Sequence, residues 1–229
     1  MKKLSLFFFL ACMAFSVSAQ SSEGSVKYSI TYEGKDVEQY KPMMPTAYRM
    51  TFKNGNAKMV TEGGVQASMI GDIIVMGAEK TTYFVNHTTK TANKMKQEES
   101  KSENDEKPVV TKESGSATIL GYKCQKYKVT FKSKSGGEDM VNYIWAAKDI
   151  NIKRPEGQFG ASQYMYEGVE GFPLKMEMNM NQGGMSIKMV MTAVDVNLNP
   201  VDAKEFEIPA SYKVEEGLPA LLKMQMGEK

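Results

Sequence analysis

Residues Pro173 to Asp195 read PLKMEMNMNQGGMSIKMVMTAVD, and this stretch specifies a β-hairpin almost residue by residue. Leu174, Met176, Met178 and Met180 alternate with Lys175, Glu177, Asn179 and Asn181, the period-2 pattern of a half-buried strand. Gly183-Gly184 suits a two-residue turn, because glycine accepts positive φ at both central positions. Such a turn sets Gln182 opposite Met185 and fixes everything beyond it. Met180 then meets Ile187, Met178 meets Met189, Met176 meets Met191 and Leu174 meets Ala193, so each apolar residue finds an apolar partner on one face. The other face pairs Asn181 with Ser186, Asn179 with Lys188, Glu177 with Val190 and Lys175 with Thr192, and is mostly polar.

A methionine-lined face has three uses. Thioethers are flexible and polarizable, so the face can be an ordinary core, a wall for apolar ligands of varied shape, or a site for a soft metal. The candidate ligand-binding residues are Met176, Met178, Met180, Ile187, Met189 and Met191.

Outward from the hairpin the chain continues as short strands and tight turns. Val26 to Tyr32 alternate as a first strand, and Val37 to Thr46, with Pro42 and Pro45, is a loop or short helix over the sheet. Tyr48, Met50 and Phe52 lead to an Asn54-Gly55 hairpin turn that returns Met59 opposite Met50. Val65 to Met76, interrupted by Gly71-Asp72, reads as two short apolar strands, and Thr81 to Val85 with Thr89 to Met95 as another pair. Further strands are expected at Ala117 to Leu120, Tyr127 to Phe131 and Met140 to Ala146, and Tyr164 and Tyr166 lead towards the hairpin. Phe206 to Pro209 looks like a last extended piece, and the tail from Pro219 is helix-like. This is a mainly β, antiparallel fold.

The first residues, MKKLSLFFFLACMAFSVSAQ, place Lys2 and Lys3 before an apolar run that ends at Val17-Ser18-Ala19. That is the form of a secretory signal peptide over residues 1–19, leaving one β-rich domain over 20–229 and an exported protein, periplasmic or associated with the outer membrane. A lipoprotein site at Cys12 ranks second, since the apolar run continues past it. Loss of Lys2 and Lys3 leaves 27 basic against 27 acidic residues. Neutrality without a basic cluster argues against nucleic acid, whose binding rests on neutralised phosphates. The charged stretch near 96–108, KQEESKSENDEKP from residue 96, is a solvated loop.

Catalysis has few places to reside. His87 is the sole histidine and lies between two strands, as a turn residue does. One histidine cannot supply a histidine-rich zinc site, and Gly-x-Ser-x-Gly and the glycine-rich phosphate loops have no match. Cys124, the one cysteine beyond residue 19, reads as a small buried residue. The expectation is no catalytic residue, no cofactor and no enzyme. For copper, Met176, Met178 and Met180 facing Met189 and Met191 put five thioethers on one patch, a set that suits Cu(I). Against it, 17 of the 19 methionines lie beyond residue 19 and are spread throughout, the distribution of a core-filling residue.

Leu120-Gly121-Tyr122-Lys123-Cys124-Gln125-Lys126-Tyr127, the strand Thr81 to Asn86 with Lys90-Thr91-Ala92, and the closing Glu205-Phe206-Glu207-Ile208-Pro209 resemble an uncharacterised family of secreted bacterial proteins. That family is similar in architecture to periplasmic lipoprotein carriers and outer-membrane lipoprotein receptors. The resemblance implies a strongly curved antiparallel sheet, an incomplete barrel with short helices or loops over its concave face. It carries over no functional residues. The expected function is a non-enzymatic cell-envelope protein that binds a lipid, acyl chain or other apolar ligand on the methionine face. The alternatives are a structural protein that meets an envelope protein partner, and a periplasmic Cu(I) binder.

Overall fold

The computed structural model describes residues 22–35, 37–96, 107–133, 137–154, 168–182, 185–220 and 222–223, without the side chains of 66, 70, 180–182 and 185. The signal segment with Cys12, most of the charged loop, Gly183-Gly184, Tyr164, Tyr166 and Met226 lie outside the described residues. Twelve strands follow in chain order: β1 (Gly24–Gly34), β2 (Ala47–Lys53), β3 (Asn56–Glu62), β4 (Asp72–Met76), β5 (Thr81–Asn86), β6 (Thr91–Lys96), β7 (Val109–Ile119), β8 (Tyr122–Phe131), β9 (Met140–Ala147), β10 (Phe172–Gln182), β11 (Met185–Asn197) and β12 (Lys213–Glu216). They form one sheet in the order β12-β6-β5-β4-β3-β2-β1-β11-β10-β9-β8-β7, open at both ends. Every described pairing is antiparallel except that of β12 with β6. No described helix is long and apolar enough to cross a membrane.

β10 and β11 pair in the register that the methionine alternation dictates, from Lys175 opposite Thr192 through Met176–Met191, Met178–Met189 and Met180–Ile187 to Gln182–Met185. β11 also pairs with β1, setting Met191 opposite Ile30 and Met189 opposite Tyr32. The apolar row therefore crosses the sheet, through Tyr127, Ile144, Met176, Met191 and Ile30.

The sheet curves strongly. Strands β2 and β10 are three positions apart, about 14 Å in a flat sheet, yet the rings of Phe52 and Phe172 meet edge to face with centroids 5.6 Å apart. Across the same concavity the Tyr28 hydroxyl donates to the Pro173 carbonyl oxygen at 2.7 Å. The side chains inside form one core from Val75 on β4 to Val129 on β8, including Tyr28, Phe52, Ile144, Leu174, Met176 and Met191. The segment before β2 folds over this face as two short 3-10 turns, Val37–Gln39 and Lys41–Met43, with Val37 buried.

β4 is covered on both sides, which explains its unbroken Ile73-Ile74-Val75 run. Val75 belongs to the main core, whereas Ile74 packs with Val85, Ala92 and Phe206 in a second cluster. The chain after β11 covers that cluster. Ala203–Phe206 is a 3-10 turn capped by the Asp202 side chain, so of the expected extended piece Phe206 belongs to the turn and Glu207 is extended, and β12 follows along the β6 edge. Four residues with Lys213, Glu215 and Glu216 make a short, charged edge that resists pairing with another chain.

Two other expectations change. Gly64–Ile70 forms a helix, α1, and only Asp72–Met76 of that region is a strand. Seven residues make only about two turns, too short for a helical period to stand out, and the Val65–Met69 pair at i, i+4 is exposed rather than turned to the core. Gly71 ends α1 at φ 74°, where a Cβ would stand 2.0 Å from the Val85 carbonyl oxygen, so glycine is required. β7 starts at Val109, well before Ala117, because an edge strand with little burial lacks the alternation that marks buried ones. Leu120 and Gly121, at φ 50° and 84°, are its turn into β8, as Asn54 and Gly55 at 52° and 79° join β2 to β3.

Candidate functional site

Of the six candidate residues, Met176, Ile187 and Met191 are buried at 2%, 7% and 6% exposure. Met178 and Met189, one cross-strand pair nearer the turn, are half-buried and pack against the core. Met180 pairs with Ile187 through its backbone, and its side chain lies outside the described residues. Burial is thus uneven along the face: Met176 and Met191 on one side and Ile187, nearer the turn, are buried, and the Met178–Met189 rung between them is looser.

Beside β1 is a cavity of about 200 Å³ lined by Ile30, Thr31, Tyr32, Lys41, Met44, Pro45 and Thr46. Its floor continues the methionine face, since Ile30 and Tyr32 stand opposite Met191 and Met189. Its roof is the strap after the second 3-10 turn, tied down at two points. The Tyr32 hydroxyl donates to the Pro45 carbonyl oxygen at 3.0 Å, and the Ile30 amide donates to that of Thr46 at 2.8 Å. Burial, with the neighbouring Tyr48, pushes the Tyr32 phenol far above its usual range, and burial raises Tyr48 as well. Both therefore stay neutral, and the Tyr32 hydroxyl is already committed to the strap. Lys41, whose side chain is 46% exposed, pairs with Glu38 at the rim. An apolar interior with one cation at its mouth accommodates a greasy group better than a reacting one.

A second, polar cavity of about 270 Å³ lies at the far end of the sheet, bordered by Lys58, Asp72, His87, Asp202, Glu205 and Glu207. Asp72 starts β4 at only 8% exposure, and its Oδ2 receives Lys58 Nζ at 3.2 Å and His87 Nε2 at 3.0 Å. His87 Nδ1 lies 2.8 Å from the Tyr212 hydroxyl, 125 residues away. With the ring proton on Nε2, the imidazole donates to Asp72 and accepts from Tyr212. This chain ties the segment leading into β12 to the turn after β5. Histidine as a mere turn residue is therefore incomplete. The partnership arises only when the C-terminal segment folds back, so periodicity carried no signal for it.

Cys124 is buried at 1% exposure, and burial raises its thiol above the usual range, so it is a packed thiol rather than a nucleophile. No group of three or more His, Cys, Asp or Glu side chains that could hold a metal occurs among the described residues. Thioethers fall outside that grouping.

Among curated proteins none matches the chain. Among solved structures, the chain is similar to PNGF-II, solved in space group C2, at 15% identity and a TM-score of 0.49, over 89% of this chain but 32% of that one. The chain thus spans about a third of that protein. It is also similar to a DUF1329 family protein from Desulfovibrio piger ATCC 29098 at 10% identity and a TM-score of 0.22, over 82% of this chain and 91% of that one. A family model described as a domain of unknown function, DUF4412, matches residues 23–212, from the start of β1 to the tyrosine that holds His87. The chain belongs to the DUF4412 family.

Proposed function

We propose that this is a non-enzymatic protein of the cell envelope that holds a lipid, an acyl chain or another apolar ligand on the concave face of its sheet. The observation that carries the reading is the cavity of about 200 Å³ whose floor residues, Ile30 and Tyr32, are the cross-strand partners of Met191 and Met189. It exceeds the roughly 150 Å³ apolar cavity that admits benzene and falls short of the roughly 300 Å³ at which drug-sized pockets begin. It suits one end of a chain, and a longer ligand would continue over half-buried Met178 and Met189, whose thioethers repack easily. Export to the envelope is supported by residues 1–19. Native mass spectrometry of protein recovered from its own envelope tests the reading, together with displacement of a fluorescent fatty-acyl probe. Protein that emerges ligand-free and ignores the probe refutes it.

One observation favours a structural or protein-interaction role instead. Met176, Ile187 and Met191 are as buried as ordinary core residues. Oxidative mapping separates the readings, because an open groove exposes Met178 and Met189 to sulfoxide formation and a filled core protects them. Copper is decided by replacing Met178 and Met189 with Leu and titrating Cu(I). Uptake unchanged by the substitutions removes the metal reading.

A further inference from the structure

Among the described residues the cavity beneath the Lys41–Thr46 strap has one charged group in its lining, Lys41, and apart from the exposed Thr31 its polar side chains are hydrogen-bonded or paired. The Tyr32 hydroxyl donates to Pro45, and the Thr46 amide and hydroxyl both point to the Glu62 carbonyl oxygen, at 2.8 and 3.3 Å. A ligand there finds methyl, methylene, thioether and ring surface from Ile30, Met44, Pro45 and Tyr32, and the one further polar side chain in the lining is the exposed Thr31 hydroxyl. A polar group buried there would lose its hydrogen bonds to water. At the mouth, the half-exposed Lys41 ammonium meets the Glu38 carboxylate, which is 80% exposed. An exposed pair of this kind contributes little, so an incoming carboxylate can take the place of Glu38 at small cost.

Resting on the apolar-ligand reading, we infer that this cavity takes a single-chain amphiphile with an anionic head, a medium-chain carboxylate, whose tail lies against Ile30, Tyr32, Met44 and Pro45 and whose carboxylate pairs with Lys41. If benzene's six carbons fill roughly 150 Å³, then by proportion about 200 Å³ holds on the order of eight. Affinity therefore rises with each carbon to about octanoate and levels off beyond it.

The experiment is isothermal titration of the mature protein with octanoate, 1-octanol and octylamine, alongside carboxylates from butanoate to dodecanoate. Octanoate is expected to bind several-fold tighter than octanol, and octylamine weakest. Lys41→Gln should bring octanoate down to the octanol value while leaving octanol unchanged. Glu38→Gln, which frees Lys41 from its present partner, should tighten octanoate several-fold. Both substitutions lie at exposed positions, so neither threatens folding. If no eight-carbon ligand binds, the apolar-ligand reading itself fails. If octanoate and octanol bind equally and Lys41→Gln changes neither, the cavity takes apolar chains but the head-group assignment is overturned. A preference for octanoate that survives Lys41→Gln overturns it too.

Discussion

Replacing Met191 and Met189 separately by alanine tests whether the hairpin face is packed as unevenly as the structure has it. Both side chains belong to one strand and one face, and both face another methionine across the hairpin, Met176 and Met178 respectively. They differ in depth. Met191 is 6% exposed and sits among Met176 and Ile30, both also buried, so truncation leaves a hole that the neighbours fill only in part. Buried Met→Ala changes cost about 2–5 kcal/mol, and for Met191→Ala we expect about 3 kcal/mol. Met189 is half-buried opposite Tyr32, where water or the Tyr32 ring can occupy the vacated volume. Partial burial removes much of the transfer energy, so Met189→Ala should cost about 1 kcal/mol. For a chain of this size 1 kcal/mol moves Tm by about 2–4 °C, which gives losses of about 6–12 °C and about 2–4 °C. Urea titration followed by the fluorescence of Trp145, the only tryptophan, measures both variants, and the denaturant slope should stay constant. Ligand affinity should respond in the opposite order, with Met189→Ala altering octanoate binding more. A stability loss at Met189 equal to or larger than that at Met191 would refute the looser packing of the Met178–Met189 rung.

Three further outcomes are expected. Tyr212→Phe removes the hydroxyl that His87 Nδ1 holds at 2.8 Å, a loss of about 0.5–1.5 kcal/mol; amide exchange in β12 should quicken roughly in proportion while β10 and β11 keep their protection, and uniform loosening would show that the contact does not anchor the C-terminal segment. Partial burial pushes the Glu177 carboxyl up, but hydrogen bonds from Lys175 at 2.7 Å and Lys188 at 3.2 Å outweigh it and hold the group below its usual range. Its stabilisation is therefore complete above the ordinary carboxyl range and fades as pH falls below about 4.3, so Glu177→Gln should flatten the acid limb of stability against pH, and an unchanged limb would assign it to other carboxyls. Gly71→Ala combines φ 74° and ψ −153°, an essentially glycine-only conformation, with a 2.0 Å approach to the Val85 carbonyl oxygen; it should cost more than the roughly 1–3 kcal/mol of the backbone conformation alone, and a near-neutral melting curve would refute the close packing of α1 against β5.

What the sequence made legible follows from how local each signal is. The β10–β11 register needed only two alternating arms and their separation, and the pairing of Met50 with Met59 across Asn54-Gly55 is legible in the same way. β7 left little trace because an edge strand buries too little to enforce alternation. The run Ile73-Ile74-Val75 hid its neighbour α1, since a strand covered on both faces and a short helix look alike when read as apolar content. β12 and the role of His87 depend on the C-terminal segment returning to the first half of the chain, a partnership 125 residues long.

The candidate site divides along the same line. The methionine face is a local property, whereas the cavity forms where the proline-bearing strap is tied to β1 by Tyr32. In the sequence Tyr32 is one more residue of an alternating strand and Lys41 one more charge in a loop. Folding gives each a neighbour that changes its chemistry. Tyr32 loses its hydroxyl to Pro45 and becomes an apolar wall, while Lys41 becomes the single cation at the mouth of that wall. The methionines supply deformable surface, and the strap supplies polarity in one direction. A ligand that enters tail first meets both in the right order, and one that enters head first must leave a charge without water or partner. On the proposed reading, orientation is the property through which this site would select.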